Sequence, residues 1–224
     1  EDLGSRKALE GETDLIWYPA EVNTSIRPGW FYHPEEDDQV KSLEELIYIY
    51  IGAVGGNATF LLNIPPTREG RFHENDKARL RELGAFLRNA FFKNVLDLAT
   101  LTADTEAEIG KSSNESNSID CIRVDDDASF VVPKGTHTLT VTAKWNEPQT
   151  IQYVVLKEDI TKSQRVEQFI LEAADEAGNY QTIYEGTVIG YKKIACLEKI
   201  QTDALRLSIT KSRVSPTLRF MGIY

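Results

Sequence analysis

Sulfur is scarce in this chain: of 224 residues, two are cysteine and one is methionine. Cys121 and Cys196 stand far apart without a Cys-x-x-Cys spacing, which excludes a disulfide framework and a cysteine-rich zinc site and leaves one bridge or two buried thiols. Positive charge is also in deficit. A formal net charge of −10 without a basic stripe excludes nucleic acid and anionic membrane as main partners, because nothing is there to neutralise phosphates. No apolar run is long enough to span a bilayer, and no signal peptide is visible. The missing signal says little, since Glu1 does not look like a natural start. What the chain does have is an ordinary apolar fraction of 41%, enough to bury a core in one large domain or two small ones.

The densest chemistry lies in residues 17–33. Trp17, Glu21, Arg27, Trp30, Phe31, Tyr32 and His33 crowd around Pro19, Pro28 and Gly29, poor material for a helix or a regular strand. Ordering such a loop costs entropy, so it reads either as a site held by a rigid scaffold or as a turn whose rings plug into a core. Around it, residues 1–14 read as a polar surface loop. From Val40 to Val54, apolar residues recur at three- and four-residue steps and predict a helix. Glu35, Glu36, Asp37 and Asp38 precede it and favour its N-terminal dipole, and Gly55-Gly56-Asn57 stops it. Ala58–Ile64, closed by Pro65-Pro66, predicts a strand buried on both faces. A second helix follows, capped by Asn75 or Asp76, with Leu80, Leu83, Phe86, Leu87 and Phe91 on its apolar side.

Helix, buried strand and helix in this order are the repeating unit of an α/β fold with parallel strands. The unit needs more strands than precede residue 95, so the chain is expected to be the C-terminal part of a longer protein. After Asn94 the texture changes: Ser/Asn/Asp-rich spacers separate short alternating runs such as 129–132, 138–142, 151–156, 168–172 and 205–209, the pattern of an all-β sandwich. A boundary near 93–98 gives two domains, 1–94 and 95–224.

Two resemblances attach to these residues. Trp17-x-Pro19-Ala20-Glu21-Val22-x-x-Ser25-Ile26-Arg27-Pro28-Gly29-Trp30-Phe31-Tyr32-His33, followed by Gly55-Gly56-Asn57 and Leu61-Leu62-Asn63-Ile64-Pro65-Pro66, resembles the last third of the barrel of the family 29 glycoside hydrolases, the α-L-fucosidases. The Ser-Ile-Arg-Pro-Gly-Trp-Phe form is similar to the subfamily acting on α-1,3/1,4-linked fucose. Residues 95–224 resemble a discoidin-like (coagulation factor 5/8 type) β-sandwich, on Leu156–Ile160, Gln164–Phe169, Thr187–Lys193 and Arg206–Ser212. The implied fold is α/β plus all-β: the last βα units of a TIM-like (β/α)8 barrel, then the sandwich.

The resemblance implies a retaining exo-glycosidase, secreted or periplasmic, acting on fucosylated glycans, with no required cofactor. Such enzymes use two carboxyl groups about 5–5.5 Å apart. The nucleophile of the family is an Asp on an earlier barrel strand with no counterpart here, so the missing N-terminal barrel portion is an implied partner and this segment alone is expected to be inactive. Two glutamates compete as acid/base. Glu21 matches one subfamily's position and is expected where a strand gives way to the aromatic loop; Glu1 matches the remnant of an upstream Gly-Asn-Glu segment. Glu21 has the alternative of pairing with Arg27. Trp17, Trp30, His33 and Asn63 are the candidate substrate contacts, each with a packing or turn role as the alternative. In the sandwich, Trp145 and Tyr180 are candidate sugar anchors, and Arg165 reads as structural, bonding backbone carbonyls. Discoidin-like sandwiches sometimes hold a structural calcium, and Asp125-Asp126-Asp127 would be its acids, but the glycine-bearing spacing of a dedicated calcium loop is absent.

Overall fold

The computed structural model describes residues 6–16, 18–104 and 118–224. The chain divides into two compact units, residues 18–93 and residues 94–224, the latter grouped with the leading segment that includes 6–16. That leading segment carries one short helix, α1 (Arg6–Leu9).

In the smaller unit, β1 (Glu21–Ser25) and β2 (Thr59–Asn63) pair in parallel, from Glu21 opposite Thr59 to Ser25 opposite Asn63. Helix α2 (Leu43–Val54) makes the crossover that a parallel pair requires, and α3 (Glu74–Ala90) follows β2. Leu46 and Leu83 from the two helices bury against Ile26, with Leu62, Ile64, Leu80 and Leu87 around them. Phe60, on the same face of β2 as Leu62, meets Tyr50 of α2 edge to face. Cover on one face has a consequence for β2. The strand expected to be buried on both faces is not: Leu61, on the opposite face from Phe60 and Leu62, is 47% exposed.

Both helices start differently from the sequence expectation. Ser42 caps α2 by accepting the Glu45 N–H, and Glu44 and Glu45 supply the first-turn charge. The acids at 35–38 do other work: Pro34–Glu36 forms a 3-10 turn, and Asp37 turns to an arginine. For α3 the cap is His73, whose Nδ1 accepts the Asn75 N–H, so neither Asn75 nor Asp76 caps it. The stop after α2 is as expected. Asn57 takes a left-handed conformation (φ 68°), and a Cβ on Gly56 would collide with the Gly52 carbonyl oxygen.

The larger unit is one antiparallel seven-stranded sheet: β3 (Thr100–Asp104), β4 (Phe130–Val131), β5 (Leu139–Glu158), β6 (Val166–Ala174), β7 (Tyr180–Gly186), β8 (Lys193–Ser212) and β9 (Thr217–Ile223). The expected runs at 138–142 and 151–156 are two arms of the single strand β5, and 205–209 is one arm of β8. These two strands pair along their length, interrupted where Pro148 sits in β5. One pair of arms carries β3, β6 and β7; the other carries β9 and β4. Inward residues of both arms, Leu139, Val141, Leu205 and Leu207 from one and Val154, Leu156, Ala195 and Leu197 from the other, share one core, so the sheet folds over itself as a sandwich.

Residues 94–98 are tied to this unit. Trp145 donates its indole N–H to the Val95 carbonyl at 2.7 Å, and Asn94 Oδ1 accepts the Ile223 N–H. Trp145 is therefore a core residue, 3% exposed, and not the exposed sugar anchor anticipated from sequence. Arg165 is structural as expected, donating to the carbonyls of Lys162 and Ser215. Cys121 and Cys196 form no disulfide, and Cys196 is exposed, so the expectation of two buried thiols does not hold. Among the described residues no helix is long and apolar enough to cross a membrane.

Candidate functional site

The C-terminal ends of β1 and β2 organise the aromatic loop. Ser25 and Asn63 face each other in register there. Asn63 donates its amide to Ser25 Oγ at 3.1 Å and to the Trp30 carbonyl at 3.0 Å, while the Ser25 hydroxyl donates to the Gly29 carbonyl at 2.7 Å. Gly29 N–H in turn donates to Glu36 Oε2, and a side chain at Gly29 would press on that carboxylate. The loop is thus fastened by its backbone. What it leaves outward are rings: Trp30 is 51% exposed and Phe31 79%.

Beneath the loop lies Arg27, wholly buried. Its Nε donates to both oxygens of Asp76 at 3.0 and 3.2 Å, and Nη1 to Asp37 Oδ1 at 2.9 Å. Burial opposes the guanidinium charge, yet the bonds to Asp76 and Asp37 outweigh it and raise the Arg27 pKa. Tyr32 places its ring 5.0 Å from the guanidinium and its hydroxyl on Asp37 Oδ2. Burial and then the Asp37 charge push the Tyr32 pKa up. His73 Nε2 reaches the same Asp37 oxygen at 3.4 Å. Asp37 and Asp76 are both engaged by Arg27, so the network is a mount for the loop.

The candidate residues distribute unevenly around this mount. Asn63 is the loop's main clamp, and Trp30 is the ring it presents. His33 is exposed; its carbonyl takes part in the network, while its ring makes no hydrogen bond among the described residues. Glu21 is not where sequence reading put it. It opens β1 and is exposed, at the far end of the strand from Trp30, about 13 Å along a five-residue strand. Nor does it pair with Arg27, whose partners are Asp76 and Asp37. The run of aromatics and prolines hid β1, because the strand occupies only its middle. Trp17 and Glu1 lie outside the described residues. Asp76 was missed as a site residue; an acid in a first helical turn reads as dipole chemistry, and only the fold brings it to Arg27, 49 positions away.

In the sandwich, Asp125 pairs with Lys157 and Asp127 with Arg219, while Asp126 Oδ1 accepts the Ala128 N–H. The acids once considered for calcium are thus occupied by the protein's own cations and backbone. Among the described residues no group of three His, Cys, Asp or Glu side chains is placed to hold a metal ion.

The segment that carries the parallel βαβ unit and its clamped aromatic loop is similar to a known family: residues 9–90 match the family model for alpha-L-fucosidase. The similarity to individual proteins runs beyond that segment. Alpha-L-fucosidase 1 of Arabidopsis thaliana is 28% identical over 210 residues, covering 93% of this chain and 41% of that protein. A relative from Oryza sativa subsp. japonica is 32% identical over the same length. The crystal structure of a glycoside hydrolase 29 family member from an unknown rumen bacterium superposes with a TM-score of 0.72 at 30% identity, over 93% of this chain and 33% of that one. The fold alone is also shared with the Ruminococcus gnavus GH29 fucosidase in complex with fucose, at TM-score 0.83, 23% identity, and 93% and 41% coverage. This chain spans about two fifths of the length of the plant relatives.

Proposed function

We propose that this chain forms part of a retaining exo-α-L-fucosidase that removes terminal α-1,3/1,4-linked fucose from oligosaccharides or glycoconjugates outside the cytoplasm. Its residues 18–93 would be the last βα units of a TIM-like barrel, and 94–224 a discoidin-like sandwich. The observation that carries this reading is the coincidence of the fucosidase match at 9–90 with a parallel strand pair whose C-terminal ends hold Trp30 outward. Catalytic side chains of such barrels gather at that end. Trp30 would stack under the apolar face of the sugar, with Phe31 beside it. Open faces on β1 and β2 fit a sheet completed by further strands, the upstream barrel portion that would also bring the nucleophilic Asp.

Of the two glutamates, Glu1 would be the acid/base, because Glu21 starts β1 and the chemistry belongs at the other end. Glu21→Gln and Glu1→Gln in the full-length protein, assayed on 3-fucosyllactose and on an aryl fucoside with a good leaving group, separate them. The true acid loses turnover of the trisaccharide by about 100-fold or more and retains more of the aryl substrate. Trp30→Ala is expected to cut kcat/KM on both by about 10-fold or more. Full activity in Trp30→Ala would remove the loop from the pocket, and a full-length protein inert on every α-fucoside would end the fucosidase reading.

A further inference from the structure

A side chain points where its two flanking peptide planes aim it, since planarity leaves only φ and ψ of the residue between them free. For Trp30 both planes are fastened. The carbonyl of the first, that of Gly29, accepts the Ser25 hydroxyl at 2.7 Å, and the carbonyl of the second, its own, accepts the Asn63 amide at 3.0 Å. One residue stands behind both bonds. Asn63 also donates to Ser25 Oγ at 3.1 Å, and the Arg27 N–H reaches the same oxygen at 3.4 Å, so the hydroxyl hydrogen is left to turn toward Gly29.

A backbone carbonyl only accepts, so Asn63 must face Trp30 with its amide nitrogen, and the two hydrogens on that nitrogen go to Trp30 and to Ser25. Neither donor is left for a ligand. Ser25 is 5% exposed, whereas Trp30 stands half out of the protein, where packing restrains a ring less than in a core. Parallel pairing puts Ser25 and Asn63 opposite each other at the strand ends, and register alone assembles a device whose parts lie 38 positions apart.

We propose that Asn63 is a positioning residue: it does not hold the sugar but sets the direction of Trp30, with Ser25 as its relay. The proposal rests on the fucosidase reading for what the ring meets, while the direction of the ring belongs to this chain and is measurable without substrate. Asn63→Asp is the isosteric break. A carboxylate has no hydrogen for the Trp30 carbonyl and draws the Ser25 hydroxyl hydrogen away from Gly29, so one change frees both planes. Ser25→Ala frees only the first.

In the full-length protein, kcat/KM on 3-fucosyllactose is expected to fall by about 5-fold or more in Asn63→Asp and by less in Ser25→Ala. Because the loss runs through the ring, Asn63→Asp added to Trp30→Ala should cost less than about 2-fold beyond Trp30→Ala alone. Additive losses would make Asn63 a sugar contact or a plain structural residue and overturn the proposal. The second measurement needs no turnover. In the chain labelled with 5-fluorotryptophan, the 19F resonance of Trp30, assigned through Trp30→Phe, should shift or broaden in Asn63→Asp while that of Trp145 stays in place. Unchanged amide shifts in α2 and α3 report an intact fold; if Asn63→Asp disturbs them, Ser25→Ala takes its place, with a smaller movement of the same resonance. A Trp30 resonance that does not move overturns the proposal whatever the activity. A moved resonance in a protein inert on every α-fucoside would fault the fucosidase reading and uphold the positioning of Trp30.

Discussion

In residues 18–93 the buried apolar side chains Ile26, Leu46 and Leu83 share the interior with a complete ion pair, Arg27 and Asp76. In residues 94–224 an unbroken apolar cluster runs from Val95 to Ile223, and the most enclosed carboxylate, Glu158, is met by backbone alone: the N–H groups of Arg165, Val166 and Gly190. The α/β unit has too few strands among its described residues to enclose a large apolar core, so its stability leans on a charge matched by a charge. The sandwich closes on itself and uses its buried acid to hold three backbone donors from two segments, 165–166 and 190.

The sharpest way to break this contrast is Asp76→Ala. It leaves the buried guanidinium with the half-buried Asp37 as its remaining acid and should destabilise the smaller unit by about 3 kcal/mol. Hydrogen exchange would speed up in α2 and α3 and stay slow in β5 and β8. Replacing the pair together, Arg27→Met with Asp76→Leu, should recover much of that loss, because the fully buried carboxylate goes with the guanidinium and Asp37, partly exposed, keeps Tyr32 and His73 as neighbours. If Asp76→Ala unfolded nothing, the ion pair would not be the unit's keystone.

Glu158→Gln probes the sandwich. Its amide nitrogen would face a backbone N–H in place of an acceptor, at a cost of about 2 kcal/mol, read as a lower thermal midpoint of the larger unit alone. A change confined to the smaller unit would contradict the assignment.

The smallest effect concerns pH. The hydrogen bond and charge of Arg206 hold the Glu172 pKa below its free value of 4.5. A carboxylate depressed on folding contributes stability that is complete above the unfolded pKa and fades as pH falls through the folded one, here below the free value of 4.5. Urea midpoints of the wild type should therefore drop between pH 6 and pH 3 by more than those of Glu172→Gln. The pair is partly solvated, so the difference should stay under about 1 kcal/mol. Equal slopes would mean that the pair carries no net stabilisation.

How far the sequence was legible follows the same division. Helices α2 and α3 were visible because their apolar faces repeat at helical spacing, whereas their first residues were not, since capping is decided by one side chain against a backbone N–H. A histidine at the start of α3 carries no distinctive signal. Strand β1 escaped notice because Pro19, Pro28 and the rings flanking it dominate the local composition. In the sandwich, alternation gave strand positions but not lengths; nothing in 139–158 says that one strand continues past Pro148 into a second set of neighbours. Trp30 and Asn63 could be singled out from the aromatic loop and from the strand end before Pro65-Pro66, and the structure shows them as an exposed ring and a clamp on the loop backbone. Asp76 and the pairing of Arg206 with Glu172 could not, because each depends on residues that only the tertiary fold brings together.

Strands β5 and β8 each serve both layers of the sandwich, and this makes its tolerance of inserted residues uneven. One extra residue between Lys144 and Gln149, where the register already slips, can be taken up by the bend. The same insertion at Val141 or Leu207 would turn every following inward side chain toward water, and would do so in the two layers together. Length variation across relatives of this sandwich should therefore collect at that bend and in the turns, leaving the arms of fixed size.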